Sequence, residues 1–174
     1  MRASRVLTLI AALATAACTG APASEPTSPT ASAPASASAA SADCPAPGVL
    51  ITADRGDAAA GYREMTLTLR RCGDTSYLLQ GRPDIVVLDE RLQPLKVTVG
   101  PSVHYTADPR RINVRPGEGA MAVLSWHNTV TEGTAVTGVA LSVAPVQGAP
   151  RQIVNLPVPM DLGTTGRLDT SAWL

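Results

Sequence analysis

Few residues in this chain have side chains suited to chemistry, and they are scattered. It has two histidines, three cysteines, four methionines, three tyrosines, two tryptophans and no phenylalanine. Ser125 and His127 lie two apart in an alternating segment, the first arrangement to weigh as a nucleophile and its base. That spacing on a strand puts both side chains on one face, with Cα atoms about 6.6–6.8 Å apart. A nucleophile and its base need contact near ~3 Å. No glycine-flanked elbow surrounds Ser125. The pair reads as the polar, solvent-facing end of a strand, and no catalytic residue is assigned.

Metal chemistry is the second possibility. His104 and His127 could join a methionine such as Met121 in a copper site of the kind exported β-sandwiches hold. The chain has no His-x-His, Met-x-x-Met or Cys-x-x-Cys spacing. His104, His127 and Met121 are metal candidates only if folding brings them together, and no cofactor is predicted. Carboxylates are the third. Asp89-Glu90 falls where a hairpin turn is expected between Leu88 and Leu92. Asp161 opens the loop Gly163-Thr164-Thr165-Gly166, where bonding to nearby backbone is the expected role. No glycosidase acid–base pair can be picked out. Arg110-Arg111 is expected in a solvated loop.

The elements that carry these residues follow three compositional zones. Residues 1–17 read as a signal peptide: Arg2 and Arg5 precede an apolar run over 6–17, too short to span a bilayer. The run ends in Thr15-Ala16-Ala17-Cys18, which resembles a lipobox with Cys18 as the lipidated first residue. The alternative is cleavage after Ala14-Thr15-Ala16 and release as a secreted protein. Residues 18–43 are rich in Ala, Ser, Pro and Thr and read as a disordered tether. Its maximum reach is roughly 80 Å at about 3.3 Å per residue. Residues 44–174 have the length of one domain.

An odd cysteine needs an explanation in an oxidising compartment. Lipidation of Cys18 leaves Cys44 and Cys72 to pair; the alternative is two free thiols. Loss of Arg2 and Arg5 takes two from 14 basic residues against 14 acidic ones, so the exported part is slightly acidic. No basic stripe is present and aromatic residues are few, which disfavours nucleic acid as a partner.

Alternation dominates residues 44–174. Met65, Leu67 and Leu69 alternate with polar residues; so do Leu95, Val97 and Val99, Ile112 and Val114, and Val139, Leu141 and Val143. Residues 85–88 are continuously apolar and read as a central strand. Residues 49–52, 120–126, 152–156 and 168–173 complete about nine strands. Ala120, Ala122, Leu124 and Trp126 share a face directed at the core, and Trp173 is a second anchor. Glycines and prolines punctuate the strands, as at Gly81-Arg82-Pro83, Gly100-Pro101 and Pro116-Gly117. The prediction is an all-β, antiparallel β-sandwich of about 8–9 strands.

Several motifs in order carry a resemblance: Cys44-Pro45, Leu67-Thr68-Leu69-Arg70-Arg71-Cys72-Gly73, Gly81-Arg82-Pro83, Arg115-Pro116-Gly117-Glu118, Trp126-His127-Asn128, and Asp161-Leu162-Gly163 with Trp173. Residues 44–174 resemble the domain of unknown function family numbered 4232, seen mainly in exported proteins and lipoproteins of actinobacteria. Arg71 and Arg82 depart from that family's usual Asn and Tyr. The resemblance implies an immunoglobulin-like sandwich and no established activity. The expected protein is a non-catalytic, lipid-anchored interaction module outside the cytoplasmic membrane, with an envelope protein as partner. The alternative is an extracytoplasmic copper-binding protein.

Overall fold

The computed structural model describes residues 44–174. The expected signal peptide, Cys18 and the expected tether lie outside the described residues.

Eleven strands and no helix form in this region. They are β1 (Val49–Ala53), β2 (Asp57–Ala59), β3 (Tyr62–Arg71), β4 (Tyr77–Gln80), β5 (Asp84–Leu88), β6 (Thr98–Pro101), β7 (Arg111–Val114), β8 (Gly119–His127), β9 (Thr137–Ala144), β10 (Gln152–Asp161) and β11 (Arg167–Thr170). The larger sheet runs β1-β3-β8-β11-β6, with β2 added beside β3. A second sheet runs β10-β9-β5, and β4 pairs with β7. The all-β sandwich is as expected. One pair departs from the antiparallel expectation: β6 and β11 run parallel, Val99 beside Leu168.

Alternation explains which face is buried. Met65, Leu67 and Leu69 of β3 point inward beside Leu124, Ala122 and Ala120 of β8, each of the two β3 leucines set against a small alanine. Val49 and Ile51 extend this face at one side and Leu168 at the other. Ile85, Val87, Leu141, Val143 and Val154 meet it from the second sheet. Trp126 and Trp173 are both buried, as expected.

Four sequence expectations change. Residues 85–88 form β5 at the edge of its sheet, not its centre. Their apolar run is explained by the next segment, which covers that edge: Leu95 N–H donates to Val87 O at 2.9 Å, and Pro94 bridges Leu88. Leu95, Val97 and Val99 do not make one strand. The chain leaves β5 at Leu95 and reaches the other sheet at Thr98, whose N–H donates to Gly166 O at 2.8 Å. Alternation there reflects a passage between sheets. Gly100-Pro101 lies inside β6 and is not a turn. Arg111 belongs to β7, and its Nε donates to Gln80 Oε1 at 3.1 Å.

The start of the domain is fastened twice. Cys44 and Cys72 form a disulfide with Cα atoms 5.7 Å apart, so they are not free thiols. The buried Arg71 guanidinium donates to Pro47 O at 2.8 Å, Gly48 O at 2.5 Å, Thr75 O, and Thr75 Oγ1 at 3.1 Å.

Candidate functional site

The outward face of the larger sheet collects most of the chain's phenols and imidazoles. Antiparallel pairing of β3 and β8 sets Tyr62 beside His127 and Glu64 beside Ser125. β11 adds Asp169 on the other side of Ser125. Because Met65 and Trp126 face the core, strand periodicity turns these neighbours outward. After β6, Ser102 Oγ accepts the N–H groups of His104 at 3.2 Å and Tyr105 at 3.0 Å. That turn carries both side chains back over the sheet.

Glu64 is the centre of the patch. Tyr62 OH donates to its Oε1 at 2.6 Å and Tyr105 OH to its Oε2 at 3.1 Å. The Tyr62 ring is flanked by two imidazoles. His104 meets it edge-on, centroids 5.2 Å apart at 77°, and His127 is tilted at 58° with centroids 5.3 Å apart. Burial, then the bond to Glu64, pushes the Tyr62 phenol up to about 12. Tyr105 is raised as well, first by its bond to Glu64. Both tyrosines therefore stay neutral donors, and both oxygens of Glu64 are engaged. The arrangement holds rings in fixed poses.

Ser125 is 2% exposed, which corrects its reading as a solvent-facing residue. It sits under this patch. His104 and His127 do come together, through Tyr62. Met121 does not join them: it is exposed on the same face, six residues along β8 from His127, roughly 20 Å at strand rise. Met65 and Met160 are buried in the core. Among the described residues there is no group of three or more His, Cys, Asp or Glu placed to hold one metal ion.

Asp89 does form the expected turn, its Oδ1 accepting the N–H groups of Arg91 and Gln93, each at 2.8 Å. Asp161 does not bond nearby backbone. Its carboxylate accepts from Asn128 Nδ2 at 2.8 Å and faces Arg63 Nε at 3.6 Å, tying the loop to β3. The sequence reading missed Tyr62, Glu64 and Tyr105. The Tyr62-x-Glu64 spacing on one strand face was the available signal. Tyr105 had none, because only the fold returns its loop to the sheet.

The fold and the patch together define an all-β sandwich domain with a tyrosine–histidine–carboxylate surface on its larger sheet. The family described as Domain of unknown function (DUF4232) matches residues 44–174, and the chain belongs to that family. No curated protein and no solved structure matches the chain.

Proposed function

We propose that this chain is a non-catalytic binding module, exported and held by a lipid on Cys18, with the surface around Tyr62 as its contact face for an envelope protein. One observation carries the reading. Both histidines and two of the three tyrosines meet on one outward face. Rigid tyrosines give large amphipathic contact area with little entropy to lose, which is why they dominate hot spots. Glu64 fixes both phenols before any partner arrives, which lowers the ordering cost of binding. The Cys44–Cys72 disulfide supports an oxidising compartment outside the cytoplasm. The apolar run before Cys18 and the Pro-rich stretch after it support an anchor and a tether.

Photo-crosslinking on intact cells tests the contact face. A photoreactive residue at Tyr105 is expected to give a discrete adduct that Tyr62→Ala abolishes, whereas one at Ile153 on the second sheet gives none. Equal labelling from both positions, or none from Tyr105, overturns the reading. Intact mass of the membrane-extracted chain tests the anchor: a diacylglyceryl group on an N-terminal Cys18 is expected. An unmodified chain in the medium would remove the lipid.

A further inference from the structure

The turn between β4 and β5 holds an arginine that the fold leaves without a partner. Arg82 lies between Gly81, at φ 106°, and the buried Pro83. Four ion pairs join other arginines to carboxylates among the described residues; Arg82 is in none of them. Its Nε is buried and has no hydrogen-bond partner. Buried donors are nearly always paired; this one is shut off from solvent, so it is the two Nη groups, which make no hydrogen bond within the fold, that face outward to a ligand.

Arg82 lines an open surface pocket of about 450 Å³. Four separate segments build the walls: the β4–β5 turn, β6, the loop after β9 and the end of β11. The walls are fastened from behind. Trp173 N–H donates to Gly81 O at 3.2 Å, and Trp173 Nε1 donates to Pro145 O at 2.6 Å. Asp84, the one carboxylate in the lining, is already neutralised by Arg151 Nη1 at 2.6 Å. The positive charge of Arg82 therefore stands uncompensated. Gln80 adds a donor: its Oε1 is taken by Arg111, which leaves its amide N–H groups free to donate. Gln147 offers a second amide on the far wall.

We propose that this pocket binds a small carboxylate ligand, with the Arg82 guanidinium as its anchor and the Gln80 and Gln147 amides as flanking donors. A guanidinium fork matches the two oxygens of a carboxylate, and charge-assisted bonds of this type are the strong ones. The site is separate from the Tyr62 face and does not depend on its role.

Titration of the ¹⁵N-labelled full chain with succinate tests the assignment. Saturable shifts are expected at the Gly81 and Gly100 amides and at the Arg82 side-chain N–H. Arg82→Gln, checked for an unchanged spectrum elsewhere, is expected to weaken binding about tenfold or more. Should that variant shift the spectrum elsewhere, Gln147→Ala, on the opposite wall, is the second test, with a smaller loss expected. Absence of saturable shifts, or equal binding by Arg82→Gln, overturns the proposal. Inorganic phosphate is the second probe. A response equal to that of succinate overturns the carboxylate assignment, because the site would then read charge alone.

Discussion

The side chain of Gln152 stands beside Ile51 where another strand would otherwise pair. Its Oε1 accepts the Ile51 N–H at 3.2 Å, while its Nε2 donates to Val49 O at 2.7 Å. One buried carboxamide thus closes the outer edge of β1 and ties the two sheets together. Gln152→Leu would leave a backbone donor and acceptor unpaired. The expected loss is about 2 kcal/mol in denaturant unfolding, with faster hydrogen exchange at Ile51. Unchanged exchange at Ile51 would count against this role.

Tyr62 predicts an alkaline limit. Its folded value of about 12 lies above the 10.0 of an unperturbed tyrosine, so the folded state keeps a proton that the unfolded chain releases. That contribution is complete below pH 10 and is lost as pH rises towards 12. Unfolding followed against pH should show stability falling across this window, together with late tyrosinate absorbance. Tyr62→Phe should flatten the fall. Ordinary titration of all three tyrosines with the fold intact would contradict the geometry.

Arg71 satisfies backbone carbonyls in place of a carboxylate. Lysine has the charge but not the planar fork that reaches Pro47, Gly48 and Thr75 together. Arg71→Lys is expected to lower stability by about 1–3 kcal/mol. A shift under ~0.5 kcal/mol would mean that the cage adds little.

The disulfide spans 28 positions. In the chain-entropy account, closing a loop of that size stabilises the fold by roughly 3–4 kcal/mol. Cys44→Ser with Cys72→Ser should therefore lower the denaturation midpoint while the slope of the transition changes with the freer unfolded chain. An unaltered midpoint would show that the Arg71 cage alone holds this segment.

Gly163 has φ of 56°, and a Cβ there would press into the backbone of Asn128 and Thr129. Its turn also carries the Thr164 N–H to Thr129 O bond at 2.9 Å. Gly163→Ala should destabilise by about 2 kcal/mol or more, whereas Gly148→Ala, with open space around it, should cost only the positive-φ penalty of about 1–2 kcal/mol. Equal effects would point away from the close approach.

Strands with one buried face were legible in the sequence. Leu67 and Leu69 alternating with Thr66, Thr68 and Arg70, and Ala120 to Trp126, announced β3 and β8 because only those faces meet the core. Strands whose burial is set by distant parts were not. β2 is Asp-Ala-Ala with every residue exposed, and it exists because it pairs with β3. β4 has Leu78 out and Leu79 in, a pair that carries no visible alternation. The same limit hid the patch. Glu64 looked like one more polar residue on a solvent face until Tyr105, 41 positions away, donated to it.

The parallel pair of β6 and β11 has a kinetic consequence. Val99 meets Leu168 across about half of the domain's length, and Ile51 waits for Gln152, 101 positions later. Loops of that size must close before their contacts reward them, so such topologies fold in roughly milliseconds to seconds. Under the proposed export, the chain has to reach the translocation channel unfolded. Pairing early strands with late ones keeps this domain open for longer than local hairpins would.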